Sequence, residues 1–206
     1  MARWSIHPTR FDRAVAKATA RHTSRVVEQS AKVITLLADE RVLLMIAGTC
    51  LFISRAGSTR QRRLANHFNT SVVATVLLAH LMKGVIAQER PDRAVVQRTR
   101  RGIPRSGKAY DAFPSGHAMH LGAVAAALAR FYPSAAPSIW FISGMLGLTR
   151  IILLAHWTTD VVAGYAAGVV VEQALWTASQ YFSSLRIRWN LGTARYVDRE
   201  EDQDGP

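Results

Sequence analysis

One apolar stretch of the chain carries three ionisable side chains, Thr149-Arg150-Ile151-Ile152-Leu153-Leu154-Ala155-His156-Trp157-Thr158-Thr159-Asp160. Ionisable groups at membrane depth are costly, so they indicate a functional site by default. His156 and Asp160 are four residues apart and share one face if the stretch is helical. The carboxylate can then accept one imidazole N–H and leave the other ring nitrogen free to attack. The alternative is a buried ion pair with a snorkelling arginine.

The composition indicates a membrane protein with an anionic partner. The chain has 206 residues and a net charge of +12, and 49% of it is hydrophobic. Such a charge suits nucleic acid, anionic lipid or a phosphorylated substrate, but the apolar residues lie in long blocks that argue against a nucleic-acid module. The single Cys50 excludes an intrachain disulfide. Residues 1–29 lack the apolar core and cleavage site of a signal peptide.

Five apolar runs predict an all-α integral membrane helical bundle. The runs are residues 42–54, 64–82, 118–132, 135–155 and 161–176. In the last run, Gly164 and Gly168 form a small-xxx-small face that is typical of closely packed membrane helices. The basic residues 8–38 have apolar positions at helical spacing. They predict an amphipathic helix on the bilayer surface, with a sixth span as the alternative.

This pattern divides the chain into three segments. Residues 1–38 are a basic amphipathic N-terminal segment, residues 39–182 are the transmembrane core, and residues 183–206 are a charged C-terminal tail. If the basic loop 55–63 is cytoplasmic, alternating spans place the connection 83–108 and His156 on the other side. We therefore expect a bacterial cytoplasmic (inner) membrane protein whose chemical residues face the extracytoplasmic side.

A basic pair lies at the same predicted face, where the span 64–82 ends. Lys83 and Arg90 are seven residues apart, which is two helical turns, so they are expected to share a helix face before Pro91 ends the helix. Taken singly, each has a plain alternative as an interfacial cation.

The span 118–132 is preceded by a tight turn, Pro114-Ser115-Gly116-His117. The free N–H groups of a helix N-terminus bind anions, and Ser115 can cap the helix or donate to a phosphate oxygen. His117 lies at the mouth of the turn and is a candidate general acid. The alternative is a simple helix cap with an exposed histidine.

The three clusters together resemble the type 2 phosphatidic acid phosphatase superfamily. The matching residues are Lys83-x6-Arg90-Pro91, Pro114-Ser115-Gly116-His117 and Arg150-x5-His156-x3-Asp160, and the resemblance covers residues 39–182. The superfamily includes integral-membrane lipid phosphatases and the vanadium haloperoxidases. Its third motif usually begins Ser-Arg, and Thr149 keeps the hydroxyl group.

The resemblance implies a metal-independent phosphatase in which His156 attacks phosphorus and forms a phosphohistidine. Asp160 would orient His156, and His117 would protonate the leaving oxygen and then activate water. The phosphoryl oxygens would be bound by Lys83, Arg90, Ser115, Gly116 and Arg150. No cofactor or metal site is expected, because no Cys pair, His-x3-His motif or acidic cluster suggests one. Three cations can instead stabilise the charge of the transferred phosphoryl group.

Site residues at the ends of spans favour a substrate whose tail stays in the bilayer. Candidates are polyprenyl diphosphate, phosphatidate, phosphatidylglycerol phosphate and lipid A phosphate, and the sequence does not choose among them or indicate an oligomeric state. The expected partners are this lipid phosphate and the bilayer with its anionic lipids, without nucleic acid. One alternative is a vanadate-dependent haloperoxidase-like enzyme. The other is a non-catalytic membrane protein that binds anionic lipid and would need no nucleophile.

Several remaining polar residues are interpreted without a catalytic role. His80 and His120 are expected in helix packing or at the lipid interface, with a supporting position beside the site as the alternative. Glu172 is expected near the cytoplasmic surface, with a helix-packing contact as the alternative. The connection between the second and third spans is expected to bind bilayer phosphates through Arg93, Arg98, Arg100, Arg101, Arg105 and Lys108.

Overall fold

Helices form nearly all of the regular structure. The computed structural model describes residues 3–95 and 109–203, and side chains as far as residue 185. The helices and strands are β1 (Trp4–Ser5), α1 (Arg10–His22), α2 (Arg25–Ile34), α3 (Glu40–Ser54), α4 (Thr59–Val85), β2 (Ile86–Ala87), α5 (Pro91–Ala94), α6 (Gly116–Phe131), α7 (Ala136–Ile152) and α8 (Thr158–Gln203), with 3-10 turns at Thr35–Ala38 and Pro133–Ala135.

Three helical segments are long and apolar enough to cross a membrane. They are Thr59–Val85, Pro133–Ile152 and Thr158–Leu185, with 27, 20 and 28 residues. At 1.5 Å per residue, the shortest is about 30 Å long, which matches the hydrocarbon core of a bilayer. The other two predicted spans correspond to α3 and α6, which have 15 and 16 residues. The predicted all-helical membrane bundle is confirmed.

Helix α6 lies at the centre of the bundle and contacts α4, α7 and α8. Its alanines and glycines let the neighbouring backbones approach closely. A Cβ atom on Gly122 would collide with the carbonyl of Tyr165, and one on Gly168 with the carbonyl of Met119. Gly164 faces the backbone of Ser115 in the same way. The predicted small-residue face therefore packs α8 on α6, as small residues do in membrane bundles.

The N-terminal segment forms two helices instead of the single amphipathic helix that the sequence predicts. Helix α1 ends at His22, and Ser24 caps the start of α2 by accepting a hydrogen bond from the N–H of Val27. Both helices bury part of one face on the core, through Asp12 and Ala16 in α1 and Ala31 in α2. Strand β1 pairs in parallel with β2, which follows α4 directly. The segment is therefore docked on the core and does not only face the bilayer.

Two of the predicted helix continuations are wrong. Helix α4 ends at Val85, and Arg90 is extended (φ −77°, ψ 149°) as the residue before α5, so Lys83 and Arg90 do not share a helix. A proline disfavours the helical conformation at the residue before it, and Pro91 follows Arg90 here. Helix α7 likewise ends at Ile152, which places His156 in the turn before α8. At the other end of the chain, α8 continues without a break through the predicted tail to Gln203.

A polar cluster joins α4, α6 and α8 inside the bundle, near the start of α4 and the end of α6. Glu172 is fully buried and accepts hydrogen bonds from Arg130 at 2.8 and 2.9 Å, and it lies 2.7 Å from Nε2 of His67. The Arg130 guanidinium lies over the ring of Trp176, 4.7 Å from its centroid. Glu172 therefore makes a helix-packing contact, which is one of the two interpretations that the sequence allows.

A cavity of about 670 Å³ lies between α3, α4 and α6. Its walls are mostly apolar and include Leu43, Phe68 and Leu128. Cys50 also lines this cavity and is exposed.

Candidate active site

The ends of four helices and the loops that join them converge at one end of the bundle. The N–H of Ser115, just before α6, donates to the carbonyl of Asp160 in α8 at 3.1 Å. The N–H of Asp92 in α5 donates to the carbonyl of Leu154, in the turn after α7, at 3.0 Å. These backbone bonds join the three sequence motifs into one site, as predicted from the alternation of the spans.

The turn after α7 gives His156 its position. The N–H of Ala155 bonds to the carbonyl of Arg150, and the N–H of Leu154 bonds to the carbonyl of Ile151. This pair of bonds is the Schellman arrangement, which needs a left-handed residue after the helix cap. Leu154 takes that conformation (φ 53°), although glycine is the usual residue there. The reversal directs His156 into the interior, where the residue is 3% exposed.

The hydrogen bonding of His156 fixes its reactive form. Nδ1 lies 2.6 Å from the carbonyl oxygen of Ala112. A carbonyl only accepts, so Nδ1 carries the proton and Nε2 keeps its lone pair. Burial lowers the pKa of His156 well below its usual value, and the charges of Arg150 and Arg90 lower it further. The imidazole is therefore neutral at physiological pH, which is the form that a nucleophile requires.

Asp160 lies close to His156 but does not share a normal hydrogen bond with it. Oδ2 is 3.9 Å from Nδ1 of His156 and accepts the N–H of Trp157 at 2.8 Å. The carboxylate thus caps the first turn of α8 and fixes the backbone of the residue after His156. The hydrogen bond expected from Asp160 to the imidazole is taken by Ala112 instead. Within the described part of the chain, Oδ1 of Asp160 is buried without a hydrogen-bond partner.

Two arginines from different segments are buried beside the histidine. Nη1 of Arg90 donates to the carbonyl of Ala155 at 3.3 Å, next to His156 in the chain. Nη1 of Arg150 donates to Oγ1 of Thr35 at 3.1 Å. Each arginine residue is 4% exposed. Both guanidinium groups therefore lie in a low-dielectric setting, where their attraction for an anion is strong.

The remaining predicted residues come from the end of α4 and the start of α6. A Cβ atom placed on Gly116 would lie 3.5 Å from Nζ of Lys83, so the ammonium group lies directly over the N-terminal turn of α6. Ser115 is fully buried and caps α6 by accepting the N–H of Ala118 at 3.4 Å. His117 is half-buried, and the positive charges of Arg150, Lys83 and Arg90 act on its ring. The structure thus brings all eight predicted site residues to one end of the bundle.

The other histidines have packing roles. His120 is 2% exposed and its Nδ1 lies 3.1 Å from Oγ1 of Thr75, so it packs α6 on α4 and is away from the lipid interface. His80 is exposed, and its Nδ1 bonds to the carbonyl of Val76. Of the basic connection, Arg93 is exposed in α5, whereas residues 96–108 lie outside the described part of the chain.

Three contributors to this end of the bundle were missed from the sequence. The carbonyl of Ala112 is a backbone group and leaves no sequence signal. Thr35 and Asp12 lie in the segment that was predicted to rest on the bilayer. The pair Thr9 and Asp12 has the spacing of a capping box, which marks the start of α1 but does not show what else Asp12 contacts.

The arrangement is suited to phosphoryl transfer. A neutral imidazole with a free nitrogen lies among three cations and the N-terminus of a helix. This reaction depends mainly on positioning and on positive charge around the phosphoryl oxygens. The residues that the structure describes contain no group of three or more His, Cys, Asp or Glu side chains placed to hold a metal ion. Fold and site together define a helical membrane protein with a phosphatase-type centre.

The chain belongs to the PAP2 superfamily. The sequence model of that superfamily matches residues 64–184. This range contains all three motifs and excludes the N-terminal segment. The chain is therefore an integral membrane phosphatase, as the resemblance implied.

Two curated relatives are lipid A 1-phosphatases. The protein from Rhizobium etli is 32% identical over 155 residues, which are 69% of this chain and 67% of that protein. The protein from Rhizobium johnstonii is 38% identical over 99 residues, which are 48% of this chain and 41% of that protein.

Two solved structures share the fold. LpxE from Aquifex aeolicus matches with a TM-score of 0.64 and 16% identity, over 80% of this chain and 93% of that one. A transmembrane PAP2-type phosphatidylglycerolphosphate phosphatase from Bacillus subtilis matches with a TM-score of 0.59 and 19% identity, over 83% of this chain and 85% of that one.

Proposed function

We propose that this protein hydrolyses a lipid phosphate without a metal ion, through a phosphohistidine on His156. The observation that carries the proposal is the state of His156. Its Nδ1–H is held by the carbonyl of Ala112, so Nε2 keeps its lone pair, and the positive charges of Arg150 and Arg90 act on the ring. A non-catalytic lipid-binding protein would need the cations but not a histidine prepared in this way.

In the first step, Nε2 of His156 forms a bond to phosphorus while the bond from phosphorus to the lipid oxygen breaks. His117 gives its proton to that oxygen, and the lipid alcohol leaves. Lys83, Arg90 and Arg150 bind the equatorial oxygens, where charge is spread in the transition state. The Ser115 hydroxyl and the N–H of Gly116 complete the binding of the phosphoryl group.

In the second step, His117 accepts a proton from water as the water attacks phosphorus. The bond from nitrogen to phosphorus breaks, inorganic phosphate leaves, and both histidines return to their starting forms. Asp160 supports both steps by fixing the backbone of Trp157, the residue after the nucleophile. This role is positional and replaces the direct hydrogen bond that the family pattern implies.

Among the candidate substrates, we propose lipid A bearing a 1-phosphate. The two Rhizobium relatives are named for that activity, and the match to this chain covers 67% of the length of the Rhizobium etli protein. Phosphatidylglycerol phosphate is the second candidate, because the Bacillus subtilis protein of similar fold is named for it.

The decisive experiment offers these lipids to the purified protein in detergent, with EDTA present, and measures released phosphate. We expect release from lipid A 1-phosphate, and complete loss in the His156→Ala variant. His80→Ala is the matched control, because His80 is exposed outside the site. Full activity in His156→Ala would overturn the mechanism, and loss of wild-type activity on chelation would overturn metal independence.

A trapping experiment tests the intermediate itself. In His117→Ala, leaving-group protonation and water activation are both impaired, so the variant is offered a substrate with a good leaving group, such as p-nitrophenyl phosphate. We expect an acid-labile phosphoenzyme to accumulate, as is typical of phosphohistidine. Its absence under conditions where the wild type turns over the same substrate would contradict a covalent step.

We also propose that the protein lies in the inner membrane with its site facing the extracytoplasmic side. Ser58, which caps the start of α4, and Glu89, which follows β2, lie at opposite ends of that helix. In a Cys50→Ala background, cysteines at these two positions should react with an impermeant thiol reagent from opposite sides of the membrane. In bacteria whose outer membrane has been removed and whose inner membrane is intact, only Glu89→Cys should react. Labelling of Ser58→Cys instead would reverse the proposed orientation.

A further inference from the structure

The N-terminal segment contacts the catalytic end of the bundle although it precedes the family match, which begins at residue 64. One of its connections is made by Asp12 in α1, a residue that is 1% exposed. Oδ1 of Asp12 accepts the backbone N–H of Thr159 at 2.9 Å, and Oδ2 accepts the hydroxyl of Thr159 at 2.8 Å. Oδ2 also accepts the N–H of Thr9 at 3.0 Å and the hydroxyl of Thr9 at 2.8 Å.

These four bonds give the Asp12 carboxylate two roles. The bonds from Thr9 form the capping box that starts α1. The bonds from Thr159 satisfy a backbone N–H in the first turn of α8, where the helix has no internal partner for it. Asp12 therefore caps both α1 and α8, although Asp12 and Thr159 are 147 positions apart in the sequence.

We propose that Asp12 is a positioning residue for the catalytic centre, acting through the first turn of α8 on His156. The proposal rests on the phosphatase function described above, in which His156 is the nucleophile.

The path from Asp12 to the site consists of consecutive contacts. Thr159 precedes Asp160, whose carboxylate holds the N–H of Trp157 at 2.8 Å, and Trp157 follows His156. The carbonyl of Asp160 also holds the N–H of Ser115 at 3.1 Å. A shift of this turn therefore moves the nucleophile and one wall of the phosphate site together. Displacements of about 1 Å in a reacting group can cost on the order of 10²-fold in rate.

The charge of Asp12 is consistent with this role. Burial raises the pKa of its carboxyl group, but the hydrogen bonds from Thr159 and Thr9 outweigh that effect and lower the pKa below its usual value. The carboxylate is therefore ionised at neutral pH and accepts four hydrogen bonds without offering a donor. An asparagine in its place would retain one oxygen for the N–H of Thr159 and would turn an NH₂ group toward the N–H of Thr9.

The experiment compares three single variants with the wild type, using the full chain in detergent. Asp12→Ala removes all four hydrogen bonds, and Asp12→Asn retains one of the two acceptor oxygens. Ser24→Ala is the matched control, because it removes an exposed helix cap from the same segment without touching α8. We expect kcat to fall roughly 10- to 100-fold in Asp12→Ala with KM changed less than about 3-fold, an intermediate value in Asp12→Asn, and no change in Ser24→Ala. A kcat in Asp12→Ala within about 2-fold of Ser24→Ala would overturn the proposal.

A double-mutant cycle with Thr159→Val tests whether Asp12 acts through Thr159. If it does, Asp12→Ala with Thr159→Val should be little slower than Asp12→Ala alone, because the second change removes a bond already lost. Fully additive losses would overturn the proposal. Thr159→Val alone keeps the shape of the side chain and removes one bond to Asp12, so a kcat equal to that of the wild type in this single variant would count against the proposal even if Asp12→Ala is poorly folded.

Hydrogen exchange separates this inference from the proposed function. Amides of residues 158–161 should exchange faster in Asp12→Ala than in Ser24→Ala, whether or not a lipid is hydrolysed. Unchanged exchange there would overturn the positioning role. A wild-type protein that releases no phosphate from any lipid, yet shows this change in exchange, would contradict the proposed function and leave the contact between α1 and α8 established.

Discussion

Two buried polar clusters lie at opposite ends of the same helices. At one end, the fully buried Glu172 bonds to both nitrogen atoms that Arg130 directs toward it, and it lies against His67. At the other end, Lys83 and Arg150 lie near His156. Along α4 the two clusters are separated by the 16 positions from His67 to Lys83, which is about 24 Å of helix.

The difference lies in how the charges are balanced. Glu172 is matched by an arginine in bidentate geometry, so this cluster is closed and joins α4, α6 and α8. At the catalytic end, Lys83, Arg90 and Arg150 come from three segments, and their positive charges act on the neutral imidazole of His156. The same residue types therefore serve packing where a carboxylate completes the set, and we propose that they bind an anion where cations lie around a neutral imidazole.

The largest expected effect comes from substituting one histidine in each cluster. His156→Ala should lower phosphate release by at least roughly 10³-fold, because it removes the nucleophile, with little change in thermal stability. His67→Ala should retain activity and lose about 1–3 kcal/mol of stability, because Glu172 loses one buried partner. Phosphate release and thermal unfolding in detergent measure both quantities. An active His156→Ala, or an inactive and stable His67→Ala, would contradict the division of roles.

One arginine from each cluster, Arg150 and Arg130, should separate in the same way. Arg150→Leu should lower kcat/KM on the order of 10²-fold or more, since a phosphate ligand is lost from a buried site. Arg130→Leu leaves the Glu172 carboxylate without its bidentate partner and should cost about 3–5 kcal/mol of stability. Titration of the lipid substrate and unfolding curves distinguish the two outcomes. Equal losses of stability in both variants would show that Arg150 also closes a structural cluster.

The packing between α6 and α8 connects the two ends and can be tested with a glycine pair. Gly168→Ala should destabilise the protein by about 1–3 kcal/mol, because its methyl group would overlap the backbone of Met119. Gly144→Ala is the control in α7, where the same methyl group meets open space, and it should be neutral or slightly stabilising. Thermal unfolding compares the two. Equal midpoints would mean that α6 and α8 can separate without cost.

The smallest effect is expected at Thr35, which lies next to the catalytic cluster. Thr35→Val keeps the shape of the side chain but removes the acceptor for Nη1 of Arg150. The loss of one hydrogen bond, about 1 kcal/mol, corresponds to roughly a 5-fold drop in kcat/KM. Thr75→Val is a comparable buried control in α4, because its hydroxyl bonds to the backbone and to His120. A larger loss in Thr75→Val would show that packing and not the arginine is affected.

The convergence of the three motifs could be predicted because it depends on local features. Apolar run lengths predict the spans, alternation of the spans brings Lys83, Ser115 and His156 to one face, and the residue spacings match a known family. The residues at which helices end are harder to predict. The continuation of α4 to Arg90 was predicted from spacing alone, whereas β2 pairs with β1 and ends the helix first.

The contacts that could not be predicted join residues far apart in sequence. Asp12 reaches Thr159, and Thr35 reaches Arg150, and helical periodicity carries no information about either pairing. The sequence leaves both interpretations of Glu172 open, because its partner Arg130 lies in another helix. The position of Asp160 relative to His156 depends on a left-handed turn at Leu154, for which leucine is an unusual residue.

The cavity between α3, α4 and α6 gives the wild-type chain a built-in spectroscopic probe. Cys50 is the single cysteine of the sequence, and it is exposed at the cavity wall. A thiol-reactive fluorophore or nitroxide therefore attaches at one defined position on α3 with no substitution elsewhere. Its emission or spectral line shape would report the polarity and mobility of the hydrocarbon chains around that helix. The same labelled sample can then be compared in detergent, in nanodiscs and with a lipid phosphate added.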